Sequence, residues 1–355
     1  MLSQYYDVIA VSSPGAELDE VGRREGVRTI PVPMERGISL WKDLVSLYRL
    51  IRLFQKEKPY AVHAMCGKAE LLAMMAAWIT RVPVRIDTVT GLTFPTTTGL
   101  LRKILIITQK IICYCATYIN PEGFGVKQLL EEYHITNKPL HVIGSGNMRG
   151  IDMQYFDRTA EVMDKASVLR DDNVTTFCFV GRIVHEKGID ELISAFTRLY
   201  NTHKDIRLLL VGPVEDNLDP VSPDTLRQIY SHPAIHAYGM QTDVRPYLVA
   251  SDIYVFPSYR EGFPNSLLEA GALGLPAIVT AITGSSEIIQ HGVNGEFVSP
   301  QDDEKLYNKM KEWIEHPSEV HNMARNARTV IARKYEQKAL WQALLKEYEK
   351  LIPRK

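Results

Sequence analysis

Four side chains in the C-terminal half have the types and spacing to handle an anionic, hydroxyl-rich ligand. Arg182 and Lys187 stand five residues apart, after the strand-like run Thr176–Val180 and before a helical pattern carried by Ile189, Leu192, Ile193, Phe196 and Leu199. Where a strand, a loop and a helix start meet, free helix amides and the positive end of the helix dipole favour an anion. Two cations beside them suit a diphosphate. On their own, two basic loop residues are also ordinary solvated charges.

Glu261 and Glu269 stand eight residues apart, after the run Ile253–Phe256 and its continuation Pro257-Ser258. Pro264 and Asn265 suit a helix start, which puts Glu261 in a loop at the sheet edge and Glu269 about one turn into the helix. A carboxylate is a good acceptor for vicinal ribose hydroxyls, as in dinucleotide sites, and Glu269 suits that part. Glu261 then lies nearer the transferred group, and the amides of Gly262, Phe263 and Asn265, with Pro264 and Ser266 completing the turn, meet phosphate oxygens. The plain alternative is a loop Glu and an exposed helix Glu.

Together these features resemble the retaining GT-B glycosyltransferases of family 4. The resemblance runs over most of residues 175–300: Gly181-Arg182, Glu186-Lys187-Gly188, Val211-Gly212, Gly239, Ser251-Asp252-Ile253, Pro257 through Pro264, Glu269-Ala270, Gly274-Leu275-Pro276, Gly284-Ser285, Gly292 and Asn294-Gly295. It implies that Arg182 and Lys187 hold the donor diphosphate, Glu261 contacts the donor sugar and Glu269 holds the ribose. It also implies retention of anomeric configuration, with a leaving β-phosphate oxygen helping to deprotonate the acceptor. Stabilisation of the leaving group is then the main contribution of the protein. No Asp-x-Asp triplet occurs, so no metal is expected and the two cations take its place.

The elements that must position these groups follow from alternation. Short β-branched runs alternate with helical patterns nearly throughout, which marks an α/β fold of parallel sheets. Strands are expected near Asp7–Ser12, Val27–Val32, Ala61–His63, Val84–Val89, Tyr118–Asn120 and His141–Ile143, making one doubly wound sheet. A second is expected from Thr176–Val180, Arg207–Val211, Ile235–Tyr238, Ile253–Phe256, Ala277–Val279 and Glu296–Val298. At 355 residues two domains facing a cleft are expected: 1–147 on the acceptor side, 148–335 binding the nucleotide sugar. Glycines and polar residues at Gly144–Gly150 suit a hinge; their spacing misses the dinucleotide fingerprint by one residue, so no nicotinamide cofactor is expected. The apolar stripe Leu340, Leu344, Tyr348 and Leu351 predicts a last helix within 336–355 that crosses back to the first domain.

Composition narrows the partners. Lys and Arg number 41 against 42 Asp and Glu, a balance that gives no footprint for nucleic acid. Cys66, Cys113, Cys115 and Cys178 form no CxxC pair, as suits reduced thiols. Residues 1–15 lack the pattern of a secretory signal, and no apolar run is long enough to span a bilayer, so a cytoplasmic protein is expected.

The first half is read more loosely. His63, at the end of a strand, either contacts donor or acceptor as a catalytic residue or is a hydrogen-bonded structural group. Thr88–Leu92 reads as a loop after a strand, with Gly91 either admitting a ligand or making a plain turn. Relative to the family pattern the chain starts at the second strand, so the given start is internal to a longer product or part of the active site is lost. Leu100–Tyr118, with Arg102, Lys103 and Lys110, reads as a sheet-covering helix; a second reading is peripheral contact with the inner face of the cell membrane, where relatives use lipid-linked acceptors.

The expected activity is transfer of a hexosyl or N-acetylhexosaminyl group from an NDP-sugar, with UDP favoured, to a saccharide or lipid-linked saccharide in bacterial surface polysaccharide assembly. The sugar nucleotide is a substrate, and no cofactor is expected. A nucleotide-sugar 2-epimerase and a binding protein with impaired turnover are the rival readings.

Overall fold

The chain forms two units, Met1–Met148 with Ala339–Lys355, and Arg149–Lys338. The computed structural model describes residues 1–353 except Arg36, Ile38, Asp216 and Leu218.

In the first unit the order is β1 (Ile9–Ser12), α1 (Ala16–Glu25), β2 (Arg28–Pro31), α2 (Leu40–Glu57), β3 (Ala61–Met65), α3 (Lys68–Ile79), β4 (Val84–Val89), α4 (Gly99–Cys115), β5 (Tyr118–Pro121) and α5 (Phe124–Glu132). All ladders are parallel, but they make two pieces, β1–β2 and β3–β4–β5, rather than the single sheet expected. Among the described residues β1 pairs only with β2 and β3 only with β4. Alternation of strands and helices predicts each strand, but not which strands pair.

The expected strand at His141–Ile143 is reduced to a single bridge between Ile119 and Leu140. Pro139 brings no N–H to extend that ladder on one side, and Gly144, at φ 59°, turns the chain away on the other.

Helix α3 is buried between two neighbours. Leu72, Ala76 and Ala77 pack with Leu50 and Phe54 of α2. Met74 packs in a second cluster with Ile112 and Cys113 of α4. This helical layer covers one face of β3–β4–β5, while Ile86, Tyr118, Leu344 and Tyr348 form the core on the other.

The second unit runs α6 (Ala160–Leu169), β6 (Thr175–Val180), α7 (Ile189–Thr202), β7 (Ile206–Val211), α8 (Pro223–Ser231), β8 (Ile235–Ala237), α9 (Arg245–Val249), β9 (Ile253–Phe256), α10 (Asn265–Ala272), β10 (Ala277–Thr280), α11 (Ser285–Ile288), β11 (Gly295–Val298), α12 (Asp303–Glu315) and α13 (Pro317–Tyr335). The final helix, α14 (Gln337–Leu351), starts here and has most of its length in the first unit, where Leu340, Leu344 and Tyr348 are buried. Six parallel strands lie in the order β11-β10-β9-β6-β7-β8. Strands β6, β7, β9 and β10 are almost wholly buried, so their sequences are apolar runs rather than alternating ones. Two of its helices start where a side chain satisfies a first-turn amide: the Ser222 hydroxyl accepts from Thr225 N ahead of Pro223, and Asp302 accepts from Lys305 N.

One group in the first unit works against folding. Asp87, in the middle of β4, is fully buried, and neither carboxyl oxygen has a hydrogen-bond partner among the described residues. Burial pushes its carboxyl up to about 7, and burial with Asp87 nearby raises Glu70 on α3 well above the ordinary carboxylate range. A folded-state pKa raised above the unfolded value contributes stability in acid that is lost as pH rises through about 7. The melting temperature should therefore fall as pH rises from about 4 through about 7 and level off above that, and Asp87→Asn should flatten the fall. An unchanged pH profile in Asp87→Asn would contradict the assignment.

Candidate active site

The strand order of the second unit creates one place where neighbouring strands lead their chains apart. From β6 the chain proceeds to β7 and β8 on one side, and β9, β10 and β11 lie on the other. The crevice beyond the carboxyl ends of β6 and β9 is the topological switch point at which open α/β sheets bind ligands. Arg182 and Lys187 follow β6, and Glu261 follows β9, so three of the four residues singled out in the sequence converge there.

The loop after β6 is tightly laid. Residues His185–Lys187 form a short 3-10 turn, and Gly188, at φ 70°, starts α7. A Cβ at Gly188 would run into the carbonyl oxygen of Pro257, so glycine lets the β6 and β9 loops touch. On the other side of β6, Gly181 N donates to Val211 O at 2.9 Å and Gly212 N to Gly239 O at 2.8 Å, joining the ends of β6, β7 and β8. A Cβ at Gly212 would collide with Gly181 O. The three glycines leave this rim without side chains.

Lys187 and Glu261 form an ion pair between mostly buried side chains. Ser258, fully buried at the end of β9, donates to the same carboxylate oxygen at 3.0 Å, and Thr280 of β10 donates to the Ser258 carbonyl. Lys187 also lies 5.9 Å from the centre of the Phe256 ring. Both charges are thus fixed from below by β9 and β10 side chains.

Arg182 is more open. It bonds Glu215 at 3.0 Å and Glu186 at 3.1 Å, and Glu186 also pairs with Arg260. Glu186 therefore bridges the β6 and β9 loops, and its backbone N–H donates to Asp219 at 2.6 Å. The ion pairs bridging these loops have no local signature in the sequence.

Helix α10 begins at Asn265, with Pro264 just outside it, as its sequence predicts. Phe263 is buried edge-to-face against Tyr335 at 5.4 Å, so its side chain anchors the turn and only its backbone can face a ligand. The Ser266 side chain is hydrogen-bonded to the Tyr254 phenol, which donates to Val180 O at 3.2 Å. Glu269 sits one turn in and is largely buried. Its single ion pair among the described residues is a long one, 3.9 Å to Arg149. Burial pushes its carboxyl up to about 7. A nearly desolvated carboxylate with so loose a partner has acceptor capacity for a ligand's hydroxyls.

His63 lies within the first unit. Its Nε2 is 2.6 Å from Thr88 Oγ1, and its Nδ1 is hydrogen-bonded to the Tyr348 hydroxyl. Both ring nitrogens are engaged inside the first unit, and removal from water pushes the imidazole down to about 4, which holds it neutral.

Residues 163–330 match the family model described as glycosyl transferases group 1, and residues 3–144 match a glycosyl transferase 4-like domain. Over 348 residues the chain is 31% identical to the capsular polysaccharide biosynthesis glycosyltransferase CapM of Staphylococcus aureus, covering 98% of this chain and 90% of that one. It is 27% identical over 315 residues to an Escherichia coli UDP-Gal:α-D-GlcNAc-diphosphoundecaprenol α-1,3-galactosyltransferase, covering 86% and 80%. Among solved structures, Anabaena HepE with UDP-glucose superposes with a TM-score of 0.80 at 15% identity, covering 97% and 92%. A glycosyltransferase from Rickettsia africae gives 0.76 at 20% identity, covering 98% and 90%. The fold is GT-B, with two Rossmann-like units.

Lys187→Met should strand the Glu261 carboxylate and lower stability by about 1–3 kcal/mol, and adding Glu261→Gln should recover part of that loss. Strictly additive losses in denaturant titrations of the four chains would mean that the pair is not coupled.

Proposed function

The chain belongs to the glycosyl transferases group 1 family, and from that premise we propose that it transfers a hexosyl or N-acetylhexosaminyl group from a UDP-sugar to a saccharide or lipid-linked saccharide acceptor. The setting is bacterial polysaccharide or glycolipid assembly, as in CapM. The observation that carries the donor site is the meeting of Lys187 and Glu261 at the β6/β9 switch point, with Glu269 one turn above. Uridine is favoured because HepE is described with UDP and UDP-glucose, and the E. coli relative uses UDP-galactose. Lipid-linked acceptors are favoured by that relative and by a Campylobacter jejuni N-acetylgalactosaminyltransferase acting on a diphosphoundecaprenol.

In this reading the diphosphate lies against Arg182, Lys187 and the turn Gly262–Asn265. Lys187 is already positioned by Glu261, so donor binding replaces a carboxylate partner by a phosphate one. The charge that grows on the leaving β-phosphate is stabilised by fixed cations, which do not reorganise during the reaction, and no metal is required. Glu261, released from the lysine, accepts from a hydroxyl of the donor sugar, while Glu269 accepts from the ribose hydroxyls. The bond from the anomeric carbon to the phosphate oxygen breaks, and the acceptor oxygen bonds that carbon on the same face. The acceptor's proton passes to a β-phosphate oxygen. Retention follows, with no nucleophile needed from the protein.

Thermal-shift titrations should rank UDP above GDP and ADP. Glu269→Ala should weaken UDP-sugar binding on the order of tenfold to a hundredfold, while Glu261→Ala should mainly lower kcat. UDP release should accelerate when acceptor is supplied. Because Glu269 must be ionised to accept from two hydroxyls, donor affinity should rise as pH rises through about 7, and Glu269→Gln should lose that dependence. No response to any of the three nucleotides, or equal kinetics in both variants and the parent, would overturn the reading.

A further inference from the structure

Arg182 is held by two carboxylates that differ in what else they hold. Glu186 accepts from Arg182 at 3.1 Å and also pairs with Arg260 on the β9 loop. Glu215, which follows β7, accepts from Arg182 at 3.0 Å and has no other ion pair among the described residues. Its backbone is fixed independently of that contact. Ile183 and Val214 form a parallel bridge, with Ile183 N donating to Pro213 O at 2.8 Å and Glu215 N to Ile183 O at 3.4 Å. Residues 213–215 thus run beside the β6 loop whichever way the Glu215 side chain turns. That side chain is 25% exposed, so it borders water.

The charges gathered here are already matched. Arg182, Lys187 and Arg260 meet the carboxylates of Glu186, Glu215 and Glu261, and Asp219 adds a fourth through the Glu186 N–H. An anionic ligand therefore enters by replacing a carboxylate rather than by filling an empty cationic pocket. Two of the carboxylates are tied down elsewhere: Glu261 accepts from Ser258, and Glu186 links the β6 loop to Arg260. Glu215 breaks no link between the β6 and β9 loops when it lets go. It is also the stronger competitor for the guanidinium. Burial disfavours the charge on Arg182, and the two carboxylates more than restore it, Glu215 ahead of Glu186.

We propose that Glu215 is an internal counter-anion of the donor site, which yields Arg182 to the diphosphate when the donor binds and takes it back as the nucleoside diphosphate leaves. The inference rests on the proposed donor site and names the residue that sets how tightly that site holds its product. Arg182 keeps its orientation through the exchange, because Glu186 and, behind it, Arg260 stay in place. The displaced Glu215 carboxylate turns into water, where it is solvated. Transfer leaves the β-phosphate as a terminal group, and a terminal phosphate with a second pKa of about 6 carries an added negative charge at neutral pH. The product is thus more anionic than the donor, and a neighbouring carboxylate disfavours it more. Its departure leaves no buried donor unpaired, since Glu215 returns to Arg182.

Calorimetric titration of the full chain with UDP, paired with stopped-flow displacement, is the test. Glu215→Gln removes the charge and keeps the shape. It should bind UDP about fivefold more tightly than the parent, with slower dissociation carrying the change. Glu215→Ala should shift affinity in the same direction. Glu186→Gln should act the opposite way and weaken UDP binding by about as much, because it unties Arg182 from the β9 loop. Opposite signs from two carboxylates on one guanidinium do not follow from a general loss of structure. UDP affinity in both Glu215 variants equal to or below that of the parent overturns the inference, since Glu215 then only holds Arg182 in place. Tighter binding that comes wholly from faster association also overturns it. A parent that binds no UDP, or whose affinity Arg182→Gln leaves unchanged, overturns the donor reading itself. A parent that loses affinity with Arg182→Gln and gains none with Glu215→Gln overturns this inference alone.

Discussion

Lys187 and Glu261 come from loops 74 residues apart and meet beyond the ends of two adjacent strands, β6 and β9. Bringing both charges into a mostly buried pocket costs desolvation, which their mutual attraction and the Ser258 hydrogen bond offset. Much of the second unit serves that meeting. Gly188 lets the two loops touch, Thr280 holds Ser258 from the next strand, and Glu186 ties Arg182 on one loop to Arg260 on the other. In the proposed donor site the pair would store a cation where an anionic leaving group is held. A lysine already fixed by a carboxylate has lost its rotational freedom before the ligand arrives, so less ordering remains to be done on binding.

Each half of the proposed donor site was legible in the sequence because each is local: an apolar strand, a short loop carrying the charges, and a helix start. The four side chains fall on the elements and turns predicted for them. Their partners were not legible. Nothing near Arg182 announces Glu215, and nothing near Glu269 announces Arg149, since these contacts depend on tertiary positions rather than spacing. His63 shows the same limit, for its Nδ1 partner Tyr348 lies 285 residues away. From sequence it reads as well for a ligand contact as for a structural group, and that partner becomes visible only in the fold.

The first unit was less legible for a related reason. Alternating strands and helices signal parallel units, but pairing within a sheet is a long-range property, and β1–β2 and β3–β4–β5 remain separate ladders. Asp87 reads as one polar residue within a strand, and its lack of partners emerges only when α3 and α4 close over it. The segment of α4 read as a helix with many apolar residues, but whether its outer side was covered could be known only from its neighbours. The structure shows it bare.

The central claim is that the Lys187–Glu261 pair is a preassembled anchor for a sugar-nucleotide diphosphate. A crystal structure of the chain soaked with UDP-glucose tests it most directly. The account predicts diphosphate oxygens within hydrogen-bonding distance of Lys187 and Arg182, the ribose hydroxyls on Glu269, and the Glu261 carboxylate turned from the lysine towards the sugar. A nucleotide bound elsewhere, with the Lys187–Glu261 pair intact and Glu269 still facing only Arg149, would contradict it.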